Sequence, residues 1–168
     1  MAPQKRSTSR VLLVDDCDRL LLLCGRDPRT PGARWWFTVG GGVEAGEDHR
    51  QAAVREVWEE TRLTIPASRL GPVVWTRQTL YSVDGLRFDQ YEEYRLGRVT
   101  AAEVARMQID TTEARYGHRW WTVDELAGTG ETVRPKMMAQ LLPEVLTDGG
   151  RSCVAVHLGD FNEDTDLD

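Results

Sequence analysis

The chain has 168 residues and a formal net charge of −6 at pH 7. That length fits one domain with a substantial core, and 40% hydrophobic with 29% charged residues is the balance of a soluble globular protein. The acidic excess excludes broad electrostatic binding of nucleic acid, which needs clustered Lys and Arg against phosphates. It leaves open a phosphate-bearing small substrate held through a cation.

The first residues, MAPQKRSTSR, are basic and read as a loose tail over 1–9. RVLLVDDCDRLLLLCGRD follows and reads as two short apolar strands about a polar turn at Asp15–Asp18, a hairpin. Asp15, Asp16, Asp18 and Arg19 interrupt its apolar run, which excludes a signal-peptide core or a membrane span there. A loop with Pro28, Pro31 and Gly32 leads to WWFTV, an aromatic and β-branched strand. Gly40, Gly41 and Gly42 then predict a loop or tight turn. A helix is predicted from about Asp48 to Thr61, with Ala53, Val54, Val57 and Trp58 on one broad side. GPVVWTRQTLYS and LRFDQYEEYRLGRV read as long strands joined at Asp84–Gly85, a pair suited to a tight hairpin turn. HRWWTVDEL carries a strand and a helix start. RPKMMAQLLPEVL has helical period, with Pro135 in the first turn and Pro143 expected to kink or split it. VAVHL reads as a small strand or extended segment. The predicted organisation is a tail over 1–9, one domain over 10–149, and an extension over 150–168 with an acidic end. Mixed helices and hairpin-like strands place the domain in the α/β or α+β class. Cys17, Cys24 and Cys153 are an odd count without metal-ligand spacing and read as reduced thiols of a cytoplasmic protein.

Glu56, Glu59 and Glu60 crowd the end of the predicted helix at i, i+3 and i+4. At about 100° per residue they share one arc, away from Val54, Val57 and Trp58. Like charges so placed cost an isolated helix roughly 0.2–0.5 kcal/mol per pair. The helix C-terminus disfavours each anion by about 0.3–1 kcal/mol more. Two readings follow from the helix alone. One is a solvated acidic face with an Arg55–Glu59 pair. The other is a divalent-cation site, since carboxylate oxygens are what Mg²⁺, Mn²⁺ and Ca²⁺ prefer.

The stretch resembles the box of the Nudix hydrolase family, G-x5-E-x7-R-E-U-x-E-E-x-G-U with U a bulky aliphatic residue, in its MutT-like form at Gly41–Leu63. Gly41, Glu47, Arg55, Glu56, Val57, Glu59, Glu60 and Leu63 fill eight of the nine specified positions. Arg62 stands where the family has Gly. A non-Gly residue at positive φ there costs on the order of 1 kcal/mol, so either the helix ends differently or Arg62 takes the strain. Val39 stands where many members have Pro, which bears on the placement of the Gly40 carbonyl.

The resemblance implies an α/β/α sandwich with a mixed β-sheet between helices. It also implies hydrolysis, by water, of the pyrophosphate bond in a nucleoside diphosphate derivative. It implies Mg²⁺, with Mn²⁺ as substitute, held by Glu56, Glu59, Glu60 and the Gly40 carbonyl, which neutralises the pyrophosphate and lowers the pKa of a bound water. Glu59 or Glu60 then helps deprotonate the water, Arg55 orients the glutamates, and Glu47 completes that network. A further acid in the loop before the RWW strand matches Glu113, whose plain alternative is an exposed loop carboxylate. Glu92 and Glu93 are its rivals, and adjacent strand residues send at most one of them into a cleft. Trp35 with Trp36 and Trp120 with Trp121 predict one core residue per pair, with base stacking open to the other. His49, His118 and His157 read as surface or structural residues. The RPK run at 134–136 reads as a solvated helix start or a phosphate contact. The alternative function is a Nudix-fold nucleotide-binding regulatory module without hydrolysis. The expected partner is a small nucleotide-type molecule, with no membrane, and a homodimer fits the sequence as well as a monomer does.

Overall fold

The long β-branched and aromatic runs assemble into a single mixed sheet in the computed structural model, which describes residues 1–26, 29–30, 32–109, 112, 114–151 and 154–162. The strands are β1 (Gln4–Val14), β2 (Leu20–Arg26), β3 (Arg34–Gly42), β4 (Val73–Val83), β5 (Leu86–Arg98), β6 (His118–Trp121), β7 (Thr132–Arg134) and β8 (Val156–Asn162). The helices are α1 (His49–Thr61), α2 (Ala101–Arg106), α3 (Val123–Gly128) and α4 (Met138–Asp148). Strand order is β6-β2-β3-β1-β5-β4-β8, with β7 beside β3. β1 runs parallel to β5, β3 to β7 and β4 to β8, and the other pairings are antiparallel.

Both sheet faces are covered, which explains the uninterrupted apolar runs of β1 and β2. Val11, Leu13 and Leu21 pack with Ala53 and Val57 of α1 and with Val104 of α2. Leu12, Val14, Leu20 and Leu22 pack on the other side with Leu126 of α3 and with Met138, Leu142 and Val145 of α4. This is the expected α/β/α sandwich. Among the described residues no helix is long and apolar enough to cross a membrane.

Several local expectations are corrected. The predicted tail over 1–9 shrinks, because β1 starts at Gln4 and pairs with β5 from Gln4 opposite Phe88 to Val14 opposite Arg98. Thr8 and Ser9 are fully buried there, a burial their polar side chains do not announce. β1 and β2 meet through Val14 and Leu20, while β3 lies between them along their length, so the predicted hairpin opens. Gly40, Gly41 and Gly42 are the end of β3, paired with Arg10, Ser9 and Thr8, instead of a turn. Val39 pairs with Val11 in the same ladder and is fully buried. α4 starts at Met138, after Pro135, and runs through Pro143 unbroken; proline there forfeits one helical hydrogen bond. Asp84 and Gly85 take φ of 51° and 79°, as a tight β4–β5 turn requires. Part of the predicted C-terminal extension joins the sheet as β8, parallel to β4. Cys153 and residues 163–168 lie outside the described residues.

Candidate active site

α1 is opened by Asp48, whose side chain accepts from Gln51 N while Gln51 caps Asp48 N in return. This box fixes the helix start one turn after the glycine-rich end of β3. α1 lies against β1 and β3 and buries Ala52, Ala53, Glu56, Val57, Glu60 and Thr61. Two of the three crowded glutamates therefore face the sheet, against the expectation that all three point away from the apolar side. Glu56 is 5% exposed and Glu60 2%, whereas the Glu59 side chain is 47% exposed. Trp58, predicted among the apolar residues, is itself 47% exposed.

The glycines make room for this burial. A Cβ at Gly41 would run into the Glu56 carboxylate, and one at Gly40 into the Ser9 carbonyl. Gly40 also takes φ of 140°, a conformation that side chains rarely adopt. Gly40 N donates to Glu60 Oε2 at 3.1 Å, which places the acid beside the strand backbone.

Arg55 binds the acids together. Its Nε donates to Glu47 Oε2 at 3.1 Å and its Nη2 to Glu47 Oε1 at 2.6 Å. Its Nη1 donates to Glu56 Oε1 at 2.9 Å and Glu59 Oε2 at 3.3 Å, and its Nη2 also to the Gly42 carbonyl at 2.8 Å. The Arg55 hydrogen bonds hold the Glu47 carboxyl below the usual carboxylate range, helped by Glu44 N and opposed by burial. Arg55 in turn is pushed further up, first by Glu47 and then by Glu56 against burial. Arg55 thus joins Glu47, Glu56 and Glu59 in one hydrogen-bonded network. Among the described residues, no three His, Cys, Asp or Glu side chains gather closely enough to hold one metal ion.

Beyond Gly40 and Gly41 the sheet carries a cleft of about 510 Å³. Among the described residues, six arginines line it, Arg6, Arg10, Arg26, Arg77, Arg115 and Arg134, against a single carboxylate, Glu92. An acidic chain thus concentrates positive charge in one concavity, where low-dielectric walls strengthen attraction for an anion. Arg10 donates from Nη1 to the Gly40 carbonyl at 3.1 Å. Burial works to lower its pKa, but Glu92, Tyr94, Glu60 and Glu56 raise it on balance. Trp35 lines the cleft with its ring against Gly25, where a Cβ would collide with it. Arg134 lies over that ring at 5.5 Å.

The tryptophan pairs divide as alternation predicts. Trp36 and Trp121 meet edge to face at 5.3 Å in the core, Trp35 turns to the cleft, and Trp120 packs on the α1 side. Of the two rival acids, Glu92 is the one that enters the cleft. Glu93 lies 2.9 Å from Arg95 and 3.8 Å from His49. His49 also contacts Ser7 at 2.9 Å, and His157 contacts Thr76 at 2.9 Å. Arg134 of the RPK run lines the cleft. Glu113 lies outside the described residues. Arg6, Arg10, Arg77 and Glu92 were not singled out as a group by the sequence. The available signal was alternation: Arg6, Thr8 and Arg10 continue the face of Leu12, and Gln90 and Glu92 that of Tyr94.

No curated protein matches the chain. Solved structures do. The MutT protein from Methanosarcina mazei Go1 superposes with a TM-score of 0.60 at 18% identity, over 88% of this chain and 96% of that one. A C. elegans Ap4A hydrolase in a binary complex gives 0.60 at 18%, over 84% and 98%. The NUDIX domain of Shewanella oneidensis NrtR, complexed with ADP-ribose, gives 0.61 at 14%, over 86% and 90%. At these identities the likeness establishes the fold. The family model described as NUDIX domain matches residues 4–141, a span that holds β1 through the first turn of α4 and every described residue of the acid cluster. The chain belongs to the NUDIX family.

Proposed function

We propose that this chain hydrolyses the pyrophosphate bond of a nucleoside diphosphate derivative with a divalent metal ion, Mg²⁺ or in its place Mn²⁺. The observation that carries this reading is the junction at Gly40 and Gly41. On one side stand the buried carboxylates of Glu56 and Glu60, and on the other the cleft with six arginines. An anionic substrate lying in the cleft meets an acid cluster that would repel it, and a cation between them removes the conflict.

The donor set fits a hard divalent ion. Glu56, Glu60 and the Gly40 carbonyl are oxygen donors, and Gly41 leaves space for Glu56 that a Cβ would fill. Glu59, half exposed, would turn from Arg55 to join them. The ion supplies charge neutralisation of the pyrophosphate and a more acidic water. The chain's own residues do the rest. The arginines bind and orient the phosphates, Glu59 or Glu60 accepts the proton of the attacking water, and Arg55 with Glu47 fixes the carboxylates. Glu113 is the further acid in this scheme. Trp35 offers an aromatic face for a base. The similarity to an Ap4A hydrolase and to a domain complexed with ADP-ribose supports a nucleotide-type substrate. The cysteine pattern supports a cytoplasmic setting.

The test is release of phosphate or pyrophosphate from a panel of nucleoside diphosphate derivatives, with Mg²⁺ and then Mn²⁺, beside a Glu59→Gln/Glu60→Gln control. Metal-dependent turnover lost in the control is the expected result. Ligand binding without turnover across the panel would instead mark a nucleotide-binding regulatory module.

A further inference from the structure

Among the described residues, Glu92 is the one carboxylate that lines the cleft beside six arginines, and it is 3% exposed. Burying an acid there opposes the binding of a phosphate unless the acid serves the arginines. Its surroundings are specific. Gln90 Nε2 donates to Oε1 at 2.8 Å and the Tyr94 hydroxyl to Oε2 at 2.9 Å. Arg10 Nε lies 3.5 Å from Oε1 and Arg77 Nη1 3.5 Å from Oε2. Each oxygen thus has one neutral donor and one guanidinium. Glu92 faces Arg77 directly across the β4–β5 ladder. Arg10 lies one diagonal away on β1, since its own partner on β5 is Tyr94. The Arg10 and Arg77 side chains are only 19% and 12% exposed. Burial, and then Glu92, push the Tyr94 hydroxyl up, so it stays a donor.

We propose that Arg10, Glu92 and Arg77 form a clamp for a diphosphate, in which Glu92 is a positioning residue that aims two guanidiniums and takes no part in proton transfer. Arg10 ties the clamp to the acid cluster through the Gly40 carbonyl, at 3.1 Å. Arg77 sits on β4, across β5 from Arg10 on β1, so a bridging anion spans that one strand. The inference rests on the hydrolase reading for its substrate class.

The two accounts of Glu92 predict opposite signs. As a mere negative charge, Glu92 weakens anion binding, and its neutralisation tightens it. As the part that aims the clamp, its neutralisation frees both guanidiniums and weakens binding. The experiment is calorimetric titration of the protein, with Mg²⁺ present throughout, with methylenediphosphonate, a pyrophosphate analogue that water does not cleave. The native protein binds it. Glu92→Gln and Arg77→Gln each weaken binding about tenfold, the scale of one charge-assisted hydrogen bond. The double variant is close to Arg77→Gln alone, because the two changes disable one unit. Unchanged or tighter binding by Glu92→Gln would overturn the clamp, and so would no binding by the native protein. If Glu92→Gln does not fold, Tyr94→Phe replaces it, keeping the charge and removing one anchor. Weaker binding then supports the clamp, and unchanged or tighter binding overturns it. With a substrate from the hydrolysis panel, Glu92→Gln raises KM and leaves kcat within about threefold. A roughly hundredfold fall in kcat at unchanged KM would make Glu92 an acid or base and sink the positioning role. Diphosphonate binding with no turnover in the panel would instead remove the hydrolase reading and leave the clamp standing.

Discussion

Arg55 grips Glu47 through two parallel contacts, Nε to Oε2 at 3.1 Å and Nη2 to Oε1 at 2.6 Å. Its remaining donor, Nη1, is shared between Glu56 and Glu59. The planar fork is what allows one side chain to hold three carboxylates and the Gly42 carbonyl together. Arg55→Lys keeps the charge and loses the fork. Turnover is expected to fall about 10–100-fold, as for other changes to groups that orient metal ligands, with the circular dichroism spectrum unchanged. Native-level turnover in the lysine variant would show that charge alone suffices.

Arg62 resolves one departure from the family pattern. It takes φ of 60° and ψ of 17°, and its N–H closes on the Trp58 carbonyl. The helix therefore ends in the left-handed conformation that a glycine takes freely, and Arg62 takes the strain, about 1 kcal/mol. Its guanidinium lies over the Trp58 ring at 4.6 Å, which returns about 0.5–1 kcal/mol. Denaturant unfolding should place Arg62→Gly within about 0.5 kcal/mol of the native protein, as relief of strain offsets loss of the stack. Arg62→Ala loses the stack and keeps the strain, so it should be the least stable of the three.

Acid stability has a defined contributor away from the site. Arg69, with Thr100 N, holds the Glu103 carboxyl below its ordinary value, against burial. Glu103 Oε2 accepts from Arg69 at 2.6 Å, while Oε1 accepts from Thr100 N at 3.0 Å to cap α2. A lowered folded value means stability that is present above the ordinary value of 4.5 and lost as pH falls through the folded one. Between pH 7 and about pH 3 the urea midpoint of the native protein should fall more than that of Glu103→Gln. Equal falls would show that this carboxylate is not linked to unfolding.

Glu113→Gln is expected to lower turnover at least roughly tenfold with the fold intact, the low end of what a positioned acid or base contributes. Steady-state kinetics with a melting curve as control decides it. Unchanged turnover would remove Glu113 from the site.

The acid cluster was legible because its residues lie close in sequence, so helical spacing alone brings Arg55, Glu56, Glu59 and Glu60 together. Which of them are buried was not legible. The burial of Glu56 and Glu60 depends on the close approach of β3, and three glycines read as a turn until β1 pairs with them. The hairpin expectation failed for the same reason: adjacency in sequence suggested a β1–β2 ladder, and the insertion of β3 is a long-range choice. The arginine cleft draws on β1, β2, β4, β5 and β7; the Asp84–Gly85 turn sets β4 against β5, but no local pattern sets β1 beside β5. Arg10 and Glu92 are 82 positions apart in the sequence and 3.5 Å apart in space.

The most direct test of the central claim is Mg²⁺ titration of pyrophosphate-bond hydrolysis by the native protein and by Glu60→Gln, with chelator added at the end. The account predicts turnover that rises with Mg²⁺, collapses with chelator, and is lost in Glu60→Gln. Turnover that survives chelation, or persists in Glu60→Gln at the native rate, would contradict it.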